Sequence, residues 1–162
     1  MTATSPLGQV LRDDQGLRLE FVRTYDTSAA DVWSAVTDPE RLGRWFGTWS
    51  GDPATGTVQL QMVEATTPQD AKIVECSPPH RLAIETLSPD GPWPLSVSLT
   101  EHAGRTTLVF THRLAEPYDA SSIGPGWHYY LDRLGAVVDV KPVPEDFEEY
   151  FPVLAQAYPL PG

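Results

Sequence analysis

The chain has 162 residues, the length of one domain and enough to bury roughly two-thirds of the surface its unfolded form would expose. Eleven basic against 22 acidic residues give a formal charge of −11, and with no basic run that field argues against nucleic acid and anionic membrane surfaces as partners. A hydrophobic content of 41% and a charged content of 20% argue against wholesale disorder.

Residues 1–16 are polar, with Pro6, Gly8 and Gly16, and read as a loose arm or a short edge segment. They lack the basic stretch and apolar core of a leader, and nowhere do about 18 apolar residues run together, so a cytoplasmic protein without membrane insertion is expected. Leu17, Leu19, Phe21 and Tyr25 then alternate with Arg18, Glu20 and Thr24, the period of a half-buried strand. Thr27 or Ser28 caps a helix carrying Val32, Trp33 and Val36, which breaks at Asp38-Pro39. Pro39 opens a second short helix whose Leu42, Trp45 and Phe46 can share a face. Gly47 and Gly51 release the chain into a loop bearing Trp49.

Strand patterns follow over Thr57–Glu64, Ala71–Cys76, Arg81–Leu87, Leu95–Glu101 and Thr106–Leu114. Short turns divide them: Thr67-Pro68-Gln69-Asp70, Ser77-Pro78-Pro79, Ser88-Pro89-Asp90-Gly91 and His102-Ala103-Gly104. Such connections make an antiparallel meander. After Pro117 the period becomes helical, with Trp127, Tyr130, Leu131, Leu134 and Val138 on one stripe facing the sheet. Pro142 and Pro144 end that helix, and 145–158 read as a terminal helical segment broken by Pro152. The expected fold is α+β: a curved antiparallel sheet of about six strands wrapped on a long C-terminal helix, with two short helices after the first strand. One domain spans 1–162, with a core over about 17–140 and a helical tail over 141–162.

The strings VWSAVTDPERLGRWFG (32–47), LVFTHRL (108–114) and GWHYYLDRL (126–134) resemble the heat-shock-protein ATPase activator homologue (AHSA-type) family, within the START-like, SRPBCC or Bet v 1-like superfamily. The resemblance covers about residues 17–158 and implies the helix-grip fold with an apolar cavity between sheet and closing helix. It implies less about function, because proteins of this type include co-chaperone domains, lipid and hormone carriers and polyketide cyclases. The co-chaperone naming the family has a separate partner-contacting domain for which this chain has no room.

Trp33, Trp45, Phe46, Trp49, Trp127 and Tyr130 read either as cavity walls or as plain core filling, with Trp45 and Phe46 expected near the mouth. Phe110, Leu131 and Leu134 complete the apolar candidate set. His112 falls in register with Leu108 and Phe110 and points inward, as a ligand anchor, a general base or a core histidine satisfied by a carbonyl or carboxylate. His128 and Asp132 stand four apart on the closing helix, where a solvated pair is the ordinary reading. Among the strand charges Glu20, Arg23, Glu64, Glu85, Glu101 and Arg113, most should face outward, and an inward Glu20 or Arg113 would demand a partner. The lone Cys76 reads as a buried thiol in a reducing compartment. His80, His102, His112 and His128 show no ligand spacing, so no metal or other cofactor is expected.

The leading expectation is a non-enzymatic module holding a small apolar or amphipathic molecule, as a monomer or homodimer. Two others stay open: proton transfer in the same cavity with His112 or His128 as acid or base, and an interaction protein acting through its surface.

Overall fold

Alternation of apolar and polar residues, interrupted by turn-forming pairs, folds most of this chain into one sheet. The computed structural model describes residues 8–14, 16–62, 67–88, 91–114, 120–142 and 144. In chain order these form β1 (Gln9–Asp13), β2 (Gly16–Tyr25), α1 (Ala29–Thr37), α2 (Pro39–Leu42), β3 (Gly47–Ser50), β4 (Thr57–Met62), β5 (Gln69–Ser77), β6 (Arg81–Ser88), β7 (Gly91–His102), β8 (Arg105–Leu114) and α3 (Ala120–Val138). Every strand pair is antiparallel, in the order β1-β2-β8-β7-β6-β5-β4-β3. The architecture is the expected α+β helix-grip arrangement, with eight strands rather than about six. Expectations for Glu64 and for the terminal helical segment lie outside the described residues.

Both extra strands are edges. The polar stretch before Gly16 supplies β1, paired with β2 from Gln9↔Glu20 to Asp13↔Gly16. The segment read as a loop around Trp49 is β3, paired with β4. A Cβ on Gly47 would stand 2.3 Å from the Gln61 carbonyl oxygen, so only glycine allows that approach. β7 begins at Gly91, earlier than expected, and takes in Pro92 and Pro94. β8 joins β7 only from His112↔Leu95 onward, so these prolines occupy a stretch with one open side, where a missing N–H is tolerated.

The inner faces follow from register. Leu17, Leu19, Phe21, Arg23 and Tyr25 are all buried on β2, and Leu108, Phe110 and His112 on β8. On β5 the alternation slips: Ile73 pairs with Ile84 but Glu75 with Ala83, leaving Val74 bulged and exposed. This shift turns Glu75 outward, where it pairs with Arg81 at 3.0 Å, and brings Cys76 opposite the inward Leu82.

The helices are capped as their sequences suggest. The Ser28 hydroxyl accepts from the Asp31 amide, and Asp38 caps α2 with Pro39 in its first turn. α2 ends at Leu42, so Trp45 and Phe46 sit in the following turn. α3 stops at Val138, before the prolines expected to end it. The Lys141 amide donates to the Ala136 carbonyl at 2.8 Å and the Val140 amide to the Val137 carbonyl at 3.3 Å, a Schellman closure that forces Val140 to φ +55°. A β-branched residue is strained there, and this one is 90% exposed. Val140→Gly should therefore stabilise the fold by about 0.5–1 kcal/mol, the left-handed penalty relieved less the extra unfolded-state entropy of glycine. Urea denaturation checks this, and an unchanged or lower midpoint contradicts it.

Candidate functional site

Between the inner sheet face and the helices lies a cavity of about 270 Å³. α1 contributes Trp33, Val36 and Thr37, the α2–β3 segment Leu42, Trp45, Phe46 and Trp49, and α3 Trp127, Leu131 and Leu134. The strands add Val58, Leu60, Ala71, Ile73, Leu82, Ile84, Leu95, Ser96, Val97, Leu108 and Phe110. Pro53, Cys76 and Pro78 lie on its exposed rim, so the opening sits between the turn after β3 and the β5–β6 connection. Leu108 and Leu134, both fully buried, mark the deep end.

Eight of the eleven expected site residues line this space: Trp33, Trp45, Phe46, Trp49, Phe110, Trp127, Leu131 and Leu134. His112, His128 and Tyr130 lie outside the wall. Trp45 and Phe46, expected near the mouth, are buried, whereas Cys76, expected to be buried, is exposed. The β5 bulge explains the cysteine: it faces inward, but at the open end of its strand.

The tryptophans are held by their polar edges. The indole N–H of Trp45 donates to the Ala35 carbonyl at 2.8 Å and that of Trp49 to the Thr37 carbonyl at 2.7 Å. Trp127 donates to His112 Nδ1 at 3.1 Å. With these donors engaged, the rings present hydrocarbon to the cavity. Phe46 stacks on Trp127 at 5.8 Å and 17°, Phe110 meets Trp127 at 4.5 Å, and Tyr130 meets Phe46 edge-on at 5.5 Å, supporting the wall from behind.

His112 is satisfied by an indole rather than the expected carbonyl or carboxylate, and its ring packs 4.7 Å from Trp93. Accepting at Nδ1 requires the neutral imidazole, because an imidazolium has only donors. Burial pushes its pKa down to about 4. The unfolded chain therefore binds more protons than the folded one between roughly pH 4 and 6.5, so stability present above pH 6.5 falls as the solution is acidified through that window. The loss should be on the order of 3 kcal/mol. His112→Asn, which offers an acceptor near the Nδ1 position without titrating, should flatten this part of the profile in urea titrations from pH 7.5 to 4. An undiminished slope would mean that other groups carry the acid sensitivity.

A second polar group lies under α3, outside the cavity. His128 is fully buried, Nε2 being 3.6 Å from Asp132 Oδ2, and Arg23 Nη2 is 3.7 Å from Asp132 Oδ1. The expected solvated pair is thus part of the packing between α3 and β2. Burial drives the His128 pKa down, opposed by the Asp132 carboxylate. The inward strand charge is Arg23. Arg18 lies 3.3 Å from Glu20, and Arg113 pairs with Asp13 at 2.8 Å. Arg133, which sequence reasoning passed over, donates to the backbone carbonyls of Trp45 at 2.9 Å and Arg44 at 3.3 Å and also to that of Pro144. It ties α3 to the turn carrying two cavity walls, away from the exposed rim. Nothing in its spacing marked it.

Among the described residues no helix is long and apolar enough to cross a membrane. The structure is similar to the crystal structure of CalU16 from Micromonospora echinospora, at 25% identity and TM-score 0.77, covering 96% of each chain. It is also similar to DynU16 from the dynemicin biosynthetic locus, at 24% identity and TM-score 0.70, over 80% of this chain and 50% of that one. The Aha1 dimer from Colwellia psychrerythraea matches at 18% identity and TM-score 0.62, over 76% of this chain and 96% of that one. Among curated proteins none matches the sequence. The family model for activator of Hsp90 ATPase homolog 1-like proteins matches residues 26–139. The chain belongs to that family.

Proposed function

We propose that this protein binds a small apolar or amphipathic molecule in the cavity between sheet and α3. The observation carrying this reading is a space of about 270 Å³ whose described lining residues include no charged side chain. Pockets for small molecules are lined in this way. The driving force is burial: at about 25 cal/mol per Å², removing a few hundred Å² from water yields several kcal/mol before ordering costs. Trp33, Trp45, Phe46, Trp49, Phe110, Trp127, Leu131 and Leu134 form the binding wall. His112 and His128 position wall elements without touching the ligand. The absence of both imidazoles from the described lining favours binding over a proton-transfer reaction led by either.

The likeness to CalU16 and DynU16, the latter from a biosynthetic locus, supports a small organic molecule as occupant. The Aha1 dimer among the similar structures supports a homodimer as one state of assembly. The test is native mass spectrometry of protein purified without added ligand, followed by a thermal-shift screen of apolar metabolites. A co-purified mass, or a melting temperature rising with ligand concentration, supports the reading. No bound mass and no shift across the screen contradicts it.

A further inference from the structure

Resting on that reading, we propose that the preferred occupant is an uncharged, flat molecule of two or three fused rings, and that ionised amphiphiles such as fatty acids are rejected. Three features of the wall lead there.

The first is charge. None of the described lining residues is ionisable apart from the Cys76 thiol at the rim, so a carboxylate or ammonium carried inside would have no counter-ion. The β5 bulge matters here, because unbroken alternation from Ala71 and Ile73 would aim Glu75 inward. Among the described residues the one buried strand cation, Arg23, lies beside Asp132 and outside the wall.

The second is hydrogen bonding. The indole N–H groups of Trp45, Trp49 and Trp127 are bound within the protein, and the Thr37 hydroxyl donates to the Trp33 carbonyl at 2.7 Å; Ser96, the other hydroxyl residue of the described lining, sits between the inward Leu95 and Val97 on β7, so strand alternation turns its side chain to the outer face. A headgroup needing several donors would be stripped of water without replacement.

The third is shape. Six aromatic side chains line the space; Trp45, Phe46, Phe110 and Trp127 are held in ring-to-ring contact and Trp49 by its bound indole edge, so this part of the wall is too rigid to follow a flexible chain. Rings gain from ring partners beyond the area they bury. A cavity of about 150 Å³ accepts benzene. At about 270 Å³ this one has room for two fused rings, with a third reaching the opening by Cys76.

Isothermal titration calorimetry at pH 7.5 with 2-naphthol, 2-naphthoate, decahydro-2-naphthol and dodecanoate separates these claims. The expected result is binding of 2-naphthol at least tenfold tighter than each of the other three. Val97→Trp, which fills a half-buried wall position, should weaken 2-naphthol binding at least tenfold; Ile84→Phe serves the same purpose if that variant does not fold. Naphthoate or dodecanoate binding as tightly as 2-naphthol overturns the charge selection. Decahydro-2-naphthol binding as tightly overturns the preference for flat rings. In both cases the apolar-binding reading survives. Naphthol binding undiminished in a folded wall variant places the site elsewhere and overturns both, as does failure of all four compounds to bind.

Discussion

Replacing Trp127 with alanine should lower the unfolding free energy by about 3–5 kcal/mol, the largest effect expected of any single wall residue. Trp127 is 5% exposed and touches Phe46, Phe110, Tyr130 and His112. Truncation removes its ring contacts and leaves His112 Nδ1 buried without its described donor. Trp127→Phe keeps much of the volume but not the N–H, so its cost should be smaller, about 1–3 kcal/mol. Urea denaturation of both variants at pH 7.5 resolves the two contributions. Equal losses would mean that filling contributes nothing beyond the hydrogen bond, contrary to the packing seen around this ring.

Asp132→Ala should be comparably damaging for a different reason. The substitution removes the carboxylate facing both Arg23 and His128 under α3. Arg23 remains 6% exposed and permanently charged. Breaking a buried pair from one side costs about 3–5 kcal/mol, whereas replacing both members by apolar residues is often neutral or better. The double variant Arg23→Met, Asp132→Leu should therefore recover most of the stability lost by Asp132→Ala. A double variant less stable than the single would contradict this account and give the cluster a net stabilising role of its own.

Much of this fold is legible in the sequence because its signals are local. The alternation of Leu17, Leu19 and Phe21, the Ser28 and Asp38 caps and the Ala103-Gly104 turn, both of whose residues have positive φ, act over a few residues each. What escaped depends on tertiary contact. β1 and β3 are short edge strands whose polar composition resembles loop, and they are strands only because β2 and β4 offer partners. The β5 bulge, invisible to a period-two reading, exchanges Glu75 for Cys76 at the wall.

The candidate site divides in the same way. Trp33 on α1 and Trp127 on α3 border the cavity, whereas Tyr130, expected on the same stripe of α3, is not among its described lining residues. Inward register placed His112 inside, but could not reveal that it stays out of the described cavity lining and accepts instead from Trp127, which belongs to it. Arg23 was named among the strand charges but not singled out as the inward one, although it shares the phase of Leu19, Phe21 and Tyr25, all buried on β2. His128 looked solvated because its partner is charged, and only the packing of α3 against β2 buries the imidazole and half-buries Asp132. The role of Arg133 rests on backbone carbonyls from distant segments, which no side-chain pattern encodes.

An apolar molecule that enters the space between the sheet and α3 must come to lie against the tryptophan rings. The most direct test is to follow the resolved indole N–H resonances by two-dimensional NMR while titrating 2-naphthol. Three of these groups, on Trp45, Trp49 and Trp127, are hydrogen-bonded donors of rings that line the cavity. Saturable shifts are expected at these three, with backbone amides at the exposed Val22 and Leu87 unmoved. Shifts confined to the outer sheet face, or none at saturating probe, would contradict binding in this space.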